Sequence, residues 1–204
     1  MEVVNGDWLT ELLRQCAHPG GAAICGAMLW YPDETIQHAG IVTGLGGYAG
    51  HSHKYKKKGG SGYLFRTSTV QDFSGVTGAC LLVKTAVYDK MHGLDEQFAV
   101  AFNDVDFCLR VRDAGYRIAW TPYAELIHYE SKSRGGDEKD PVKAARFAAE
   151  QQRLYTIHGK ENILDDPYYN PNLTRDREDF SESDDLRRLK EGRVTVRFRG
   201  GTLQ

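Results

Sequence analysis

Residues 102–120 read FNDVDFCLRVRDAGYRIAW, and they set the pattern for the rest of the chain. Asn103 is a candidate N-cap, and Val105, Leu109 and Arg112 fall on one side at helical spacing, with Cys108 and Val111 close by. Gly115 supplies a left-handed stop, so the spacing predicts a helix over about 104–114. YRIAWTP then alternates like a short strand, and AELIHYE like another. A helix running through one glycine into a strand is the unit of an α/β layered sheet.

Upstream, Asp7 precedes WLTELLRQC, whose Trp8, Leu9, Leu12, Leu13 and Cys16 form an apolar stripe that HPGG ends. AAICGAMLWYP reads as a buried strand, YPDET as a turn and IQHAGIV as a shorter strand. GLGGYAGHSHKYKKKGGSG, residues 44–62, is glycine-rich and basic, and is expected to be a mobile surface loop. VTGACLLVK is a second buried strand, followed by a short helix in TAVYDKMHG and a turn in GLDEQF. Downstream, SKSRGGDEKD is a polar loop, and Asp140 and Pro141 open a long helix that Gly159 closes. The charged remainder, from DDPYYNPN onward, should wrap over the body before fraying. The expected organisation is a unit over 1–180 with a charged tail over 181–204.

Composition bounds what such a unit does. The 204 residues carry 41% hydrophobic and 26% charged side chains and a formal charge of −2, so any basic site must be local. No apolar run nears the roughly 20 residues that cross a bilayer, and MEVVNGDWL lacks the regions of a signal peptide, which implies a cytoplasmic protein. Cys16, Cys25, Cys80 and Cys108 are dispersed among apolar neighbours, as expected of buried free thiols.

Asp104 and Asp106 sit in a first helical turn, where acids complement the helix dipole. A carboxylate at a helix start above a sheet is equally placed to face a cleft and act as a general base. His128 follows an alternating segment and precedes Ser131, Lys132, Ser133 and Arg134, whose cations and hydroxyls suit phosphate oxygens.

The run TGACLLVKTAVYDKMHGLDEQFAVAFNDVDFCLRVRDAGYRIAWTPYAELIHYESKSRG resembles the C-terminal half of the catalytic domain of family 2, GT-A-type glycosyltransferases. More narrowly it is similar to bacterial enzymes that build O-antigen and other surface polysaccharides. The resemblance extends from GDWLTELL through YPDETIQHAGIV to DDPYYNPNLTRDREDF, residues 5 to about 180. It implies a partial Rossmann-like GT-A mixed sheet flanked by helices, lacking the N-terminal nucleotide-binding half. It also implies inverting transfer of a hexosyl or deoxyhexosyl unit from a nucleotide-sugar donor to a growing glycan or lipid-linked acceptor. The family motif of Glu-Asp, any residue and Asp is here Asn103-Asp104-Val105-Asp106, so Asp104 matches the base, with Asn103 and Asp106 supporting it. His128 matches a histidine that completes a metal site, Lys132 and Arg134 with Ser131 match a diphosphate loop, and Thr77, Gly78 and Ala79 match the cleft floor. The implied cofactor is a divalent metal, Mn²⁺ or Mg²⁺, held only together with an upstream acidic Asp-x-Asp motif. This chain starts at EVVNGDWL, which matches residues trailing that motif, so the expectation is a half-domain inactive alone.

Two other classes stay open. Lys54, Lys56, Lys57 and Lys58 interleaved with Tyr48, Tyr55 and Tyr63 suit an anionic ligand or a membrane surface, including the inner membrane face; nucleic acid is disfavoured by the overall acidity. His51 and His53 form an HxH pair with no companion metal ligand nearby in sequence. A noncatalytic half-domain could also act as a scaffold for a partner chain, or self-associate through an exposed sheet edge.

Overall fold

The centre of the fold is a parallel pair of strands, Ile24–Trp30 (β2) and Ile118–Ile127 (β8). This computed structural model describes residues 1–129 and 140–184, together with the backbone of 197–198 and 201–202. Every residue of β2 is buried, because the strand is covered on both faces. Ile24, Met28 and Trp30 point to one apolar cluster and Cys25, Ala27 and Leu29 to another. Such two-sided burial explains why AAICGAMLW is a continuous apolar run rather than an alternating one.

Short strands complete the sheet. Glu2–Val3 (β1) pairs antiparallel with the end of β8, and Ile36–His38 (β3) with the end of β2. Gln71–Asp72 (β6) pairs with the start of β8, and Leu81–Val83 (β7) with the start of β2. Ile41–Thr43 (β4) and Ala49–His51 (β5) form a separate two-stranded ribbon. The backbone also shows Arg197–Phe198 (β9) paired antiparallel with Gly201–Thr202 (β10). The expected α/β class, a mixed sheet flanked by helices, is what the chain forms.

Helix Trp8–Cys16 (α1) covers one face through Leu12 and Cys16, while Leu9 and Leu13 stay exposed. Thr85–Lys90 (α2) and Asn103–Asp113 (α3) cover the other. Pro141–His158 (α4) and Lys160–Leu164 (α5) pack behind α3, where Val105 and Leu109 meet Leu154 and Ile163. Residues 165–184 wrap back over the body, burying Tyr169, Leu173 and Phe180 in the main core. Among the described residues no helix is long and apolar enough to cross a membrane. All four cysteines are free, with Cys16, Cys25 and Cys108 buried.

Several local expectations are corrected. IQHAGIV is two strands, because Gly40 at φ 97° turns the chain between β3 and β4 over the ring of Phe73. YRIAWTP and AELIHYE are one strand, whose pairing with β2 slips between Ala27 and Met28, opposite a stretch containing Pro122, which has no amide to donate. In VTGACLLVK only Leu81–Val83 is strand. Asn103 is the first residue of α3 and not its cap; Phe102 holds the cap position at φ 64° without a side-chain cap bond. Asp7 precedes α1 but also makes no side-chain cap bond.

The front of the basic segment, residues 44–53, is built into the body, while Tyr55 and residues 57–61 are exposed as a surface loop would be. Leu45, Ser52 and His53 are buried, Tyr55 stacks on Tyr31 at 5.5 Å, and Lys58 pairs with Glu125 at 3.0 Å over the Trp30 ring. Hydrogen-bonding histidines, which a reading for glycine and lysine passes over, anchor it. A Cβ at Gly40 would lie 2.6 Å from the Phe73 ring as well as at a positive φ. Gly40→Ala should therefore destabilise the fold by about 2–4 kcal/mol, read from a lower urea midpoint with an unchanged slope.

Candidate functional site

Asp104 sits at the start of α3, half-buried, with its carboxylate against the loop that leads into β7. Its Oδ2 accepts the Gly78 amide at 2.8 Å and its Oδ1 accepts the Val105 amide at 2.8 Å. The Asn103 Oδ1 accepts the Asp104 amide at 2.7 Å. The fold thus brings together Asn103, Asp104 and the Thr77–Ala79 stretch, which the sequence places 26 residues apart. A Cβ at Gly78 would meet Asp104 only at ordinary contact distance, so Gly78 matters here for the amide it offers rather than for its lack of a side chain. With one hydrogen bond to each oxygen among the described residues, the carboxylate keeps lone pairs for a further donor.

The neighbouring loop is held from below by a residue that sequence reasoning missed. His38 is fully buried, and its Nε2 accepts the amides of Gly40 at 3.3 Å and Thr77 at 3.4 Å. That assigns its proton to Nδ1, which lies 2.8 Å from Nδ1 of His51. Burial first, then the adjoining His51 and His128, push the His38 ring well below the ordinary histidine range. His128 follows β8 directly, its amide donating to the Trp30 carbonyl at 2.8 Å. His53 points elsewhere: it stacks on Phe180 at 4.1 Å and its Nε2 accepts the Tyr63 amide, so His51 and His53 do not act as one ligand pair. Ser131, Lys132 and Arg134 lie outside the described residues.

Asp106 is only 1% exposed and works in the opposite direction from Asp104, into the body. Its Oδ2 accepts Nε of Arg110 at 2.9 Å, and its Oδ1 lies 2.8 Å from Nε2 of His158 at the end of α4. Arg110 in turn donates to the carbonyls of Met91 and Gly93. A second buried acid, Glu150 of α4, accepts the amides of Val100 at 3.2 Å and Ala101 at 2.7 Å. Helix α4 therefore fixes the approach to α3 at two points, neither visible in sequence because the partners are about 50 residues away.

An acidic metal or diphosphate site needs several ligands converging. Among the described residues no group of three or more histidines, cysteines or acids is arranged to hold a metal ion. The described donor set does not by itself hold a divalent cation, so a metal would need ligands from outside the described residues.

Over 85% of its length the chain is 36% identical to an O-antigen biosynthesis protein of Myxococcus xanthus. Over 39% it is 32% identical to an N-acetylglucosaminyl-diphospho-decaprenol L-rhamnosyltransferase of Mycobacterium tuberculosis. These similarities support a glycosyltransferase family for the chain. A protein of Sinorhizobium fredii is 47% identical over 88% of the chain. The chain spans only 20% of that relative, 13% of the Myxococcus protein and 24% of the rhamnosyltransferase. No family model and no solved structure matches it.

Burial works to raise the pKa of Asp106, but hydrogen bonds from His158 and Arg110 outweigh it and hold the carboxyl below the ordinary aspartate value. A depressed folded pKa contributes stability that is present above the unfolded value near 3.9 and is lost as pH falls through the folded one. Asp106→Asn should cost on the order of 3 kcal/mol at pH 7 and flatten the acid limb of the stability profile below about pH 4, read by denaturant titration across pH.

Proposed function

We propose that the chain forms the acceptor-side part of an inverting glycosyltransferase of bacterial surface-polysaccharide synthesis, with Asp104 as its general base. The observation that carries this reading is the Asp104 carboxylate at the start of α3, held at 2.8 Å by the Gly78 amide on the Thr77–Ala79 loop. A carboxylate fixed by a helix start and a backbone amide is positioned without relying on its own flexible torsions, which is what general-base catalysis asks for. The names of the relatives support sugar transfer in polysaccharide assembly.

In this mechanism an acceptor hydroxyl approaches the open side of Asp104. Its oxygen forms a bond to the anomeric carbon of the donor sugar as the bond from that carbon to the nucleoside diphosphate breaks, inverting the configuration. The hydroxyl proton passes to Asp104, and the electron pair leaves with the diphosphate. Thr77, Gly78 and Ala79 form the floor beneath the acceptor, and Asn103 and Asp106 keep the helix start in register. When bound, a divalent metal would offset charge on the leaving diphosphate; His128 is the described residue suited to help hold it, alongside ligands from a nucleotide-binding half. Ser131, Lys132 and Arg134 belong in this reading to the diphosphate side. Lipid-linked acceptors would place the protein in the cytoplasm, in peripheral contact with the inner membrane face.

In a polypeptide that joins this chain to a nucleotide-binding half, Asp104→Asn should lower kcat by at least about 10²-fold with an unchanged circular dichroism spectrum. Retained turnover would remove Asp104 from the base role. The chain alone, titrated calorimetrically with UDP, GDP and dTDP with and without Mn²⁺, should bind none of them. Metal-dependent binding would overturn its assignment to the acceptor side alone.

A further inference from the structure

We propose that the turn carrying Leu64 and Phe65, with the lysines beside it, is the face by which the protein docks on an anionic lipid bilayer. Residues 54–66 read KYKKKGGSGYLFR, five cations and no acid in a chain of formal charge −2. Leu64 is 75% exposed and Phe65 66%, and water gains nothing from either.

The turn is fixed from both sides. Before it, the Tyr63 amide donates to Nε2 of the buried His53 at 3.0 Å. After it, Arg66 packs over the rings of Phe73 and Phe180, and its carbonyl accepts Nε2 of Gln71 at 2.8 Å. Between these anchors Leu64 and Phe65 both hold left-handed backbones, at φ 46° and 61°, which bulky residues seldom adopt. Glycine or asparagine would make such a turn with less strain. Two large apolar side chains held outward at a conformational cost point to a use outside the fold.

Hydrogen bonds tie the flanking residues to this tip. The Tyr123 hydroxyl donates to the Ser68 carbonyl at 3.2 Å, which brings another exposed ring beside it. The Thr67 hydroxyl donates to the Gly60 carbonyl at 2.8 Å, which joins the lysine segment to it. Four lysines, Lys54, Lys56, Lys57 and Lys58, face the nearby acids Asp33, Glu34 and Glu125. Two of those acids are turned to local partners: Asp33 accepts the Thr35 amide and hydroxyl, and Glu125 accepts Nε1 of Trp30. The longer lysine stems can swing to a surface that these short side chains do not reach. Asp179, near His53, is paired with Arg177 at 3.5 Å. The resulting positive excess is small, so the apolar tip supplies the main attachment and the lysines favour an anionic surface over a neutral one.

A bilayer suits this face better than a second copy of the chain. Two side chains cover far less than the roughly 800 Å² per partner of a stable protein interface, and a second copy would set its own lysines against these. At a membrane, Leu64 and Phe65 reach the boundary of headgroups and acyl chains while the lysines stay at the phosphates. The choice of a bilayer rests on the reading of a lipid-linked acceptor; the anchoring, strain and exposure of the turn do not.

The test is co-sedimentation of the whole chain, without nucleotide or metal, with vesicles of phosphatidylcholine alone and of phosphatidylcholine mixed with phosphatidylglycerol. The mixed vesicles should bind severalfold more tightly, and less so as salt rises. Leu64→Ser combined with Phe65→Ser should weaken that binding at least about tenfold with an unchanged circular dichroism spectrum. Lys56→Gln combined with Lys57→Gln should weaken it severalfold on mixed vesicles only, and Asp104→Asn should leave it unchanged. No binding to mixed vesicles, equal binding to both kinds, or full binding by the Leu64 and Phe65 variant would overturn the proposal. So would a sedimenting dimer that the same variant abolishes, which would assign the face to a second copy. Because Asp104→Asn is silent here and decisive for turnover, loss of this inference and loss of the base assignment give different results.

Discussion

The carboxylate of Asp106 is where the structure around α3 is tied together. One oxygen takes Arg110 from its own helix and the other takes His158 from α4, while Arg110 reaches on to the carbonyls of Met91 and Gly93. Three segments distant in sequence therefore meet on one buried charge. Removing either partner would leave that charge less compensated in a medium that penalises it heavily. With the helix start so fixed, Asp104, two residues earlier, is held outward against Gly78. One acid carries the architecture and the other, in the proposed function, is left for chemistry, a division of labour set by which side of the first turn each occupies.

How much of this was legible in the sequence depends on the range of the interaction. The helix at FNDVDFCLRVRDAG was readable because its determinants lie within one another's reach: apolar spacing and a glycine that stops the last turn. The strand ICGAMLW was readable because two-sided burial leaves an unbroken apolar run. The fracture of IQHAGIV at Gly40 was not, since it depends on the Phe73 ring beneath. Nor was the integration of residues 44–53, where His53 against Phe180 and Leu45 in the core outweigh a composition that reads as loop.

The candidate site divides the same way. A helix-start acid pair and a glycine loop are local signals, and the fold joined Asp104 to Gly78. The supports of that pairing, His38 under Thr77 and Glu150 behind Val100 and Ala101, are single polar residues in apolar or charged surroundings. Nothing in the sequence marks them, because what makes them distinctive is burial and the backbone amides they receive from distant segments.

The parallel pairing of β2 with β8 also has a cost in time. Ile24 pairs with Ile118, 94 positions later, so the central strand has no partner on that side when it is first made. At roughly 5–20 residues per second of synthesis, β2 waits about 5–20 s for β8 to emerge, with an apolar edge and two apolar faces uncovered. Helix α1 and β7 become available sooner and shield part of that surface. Vectorial synthesis thus leaves this edge of β2 open longer than the edges that pair with segments closer in sequence.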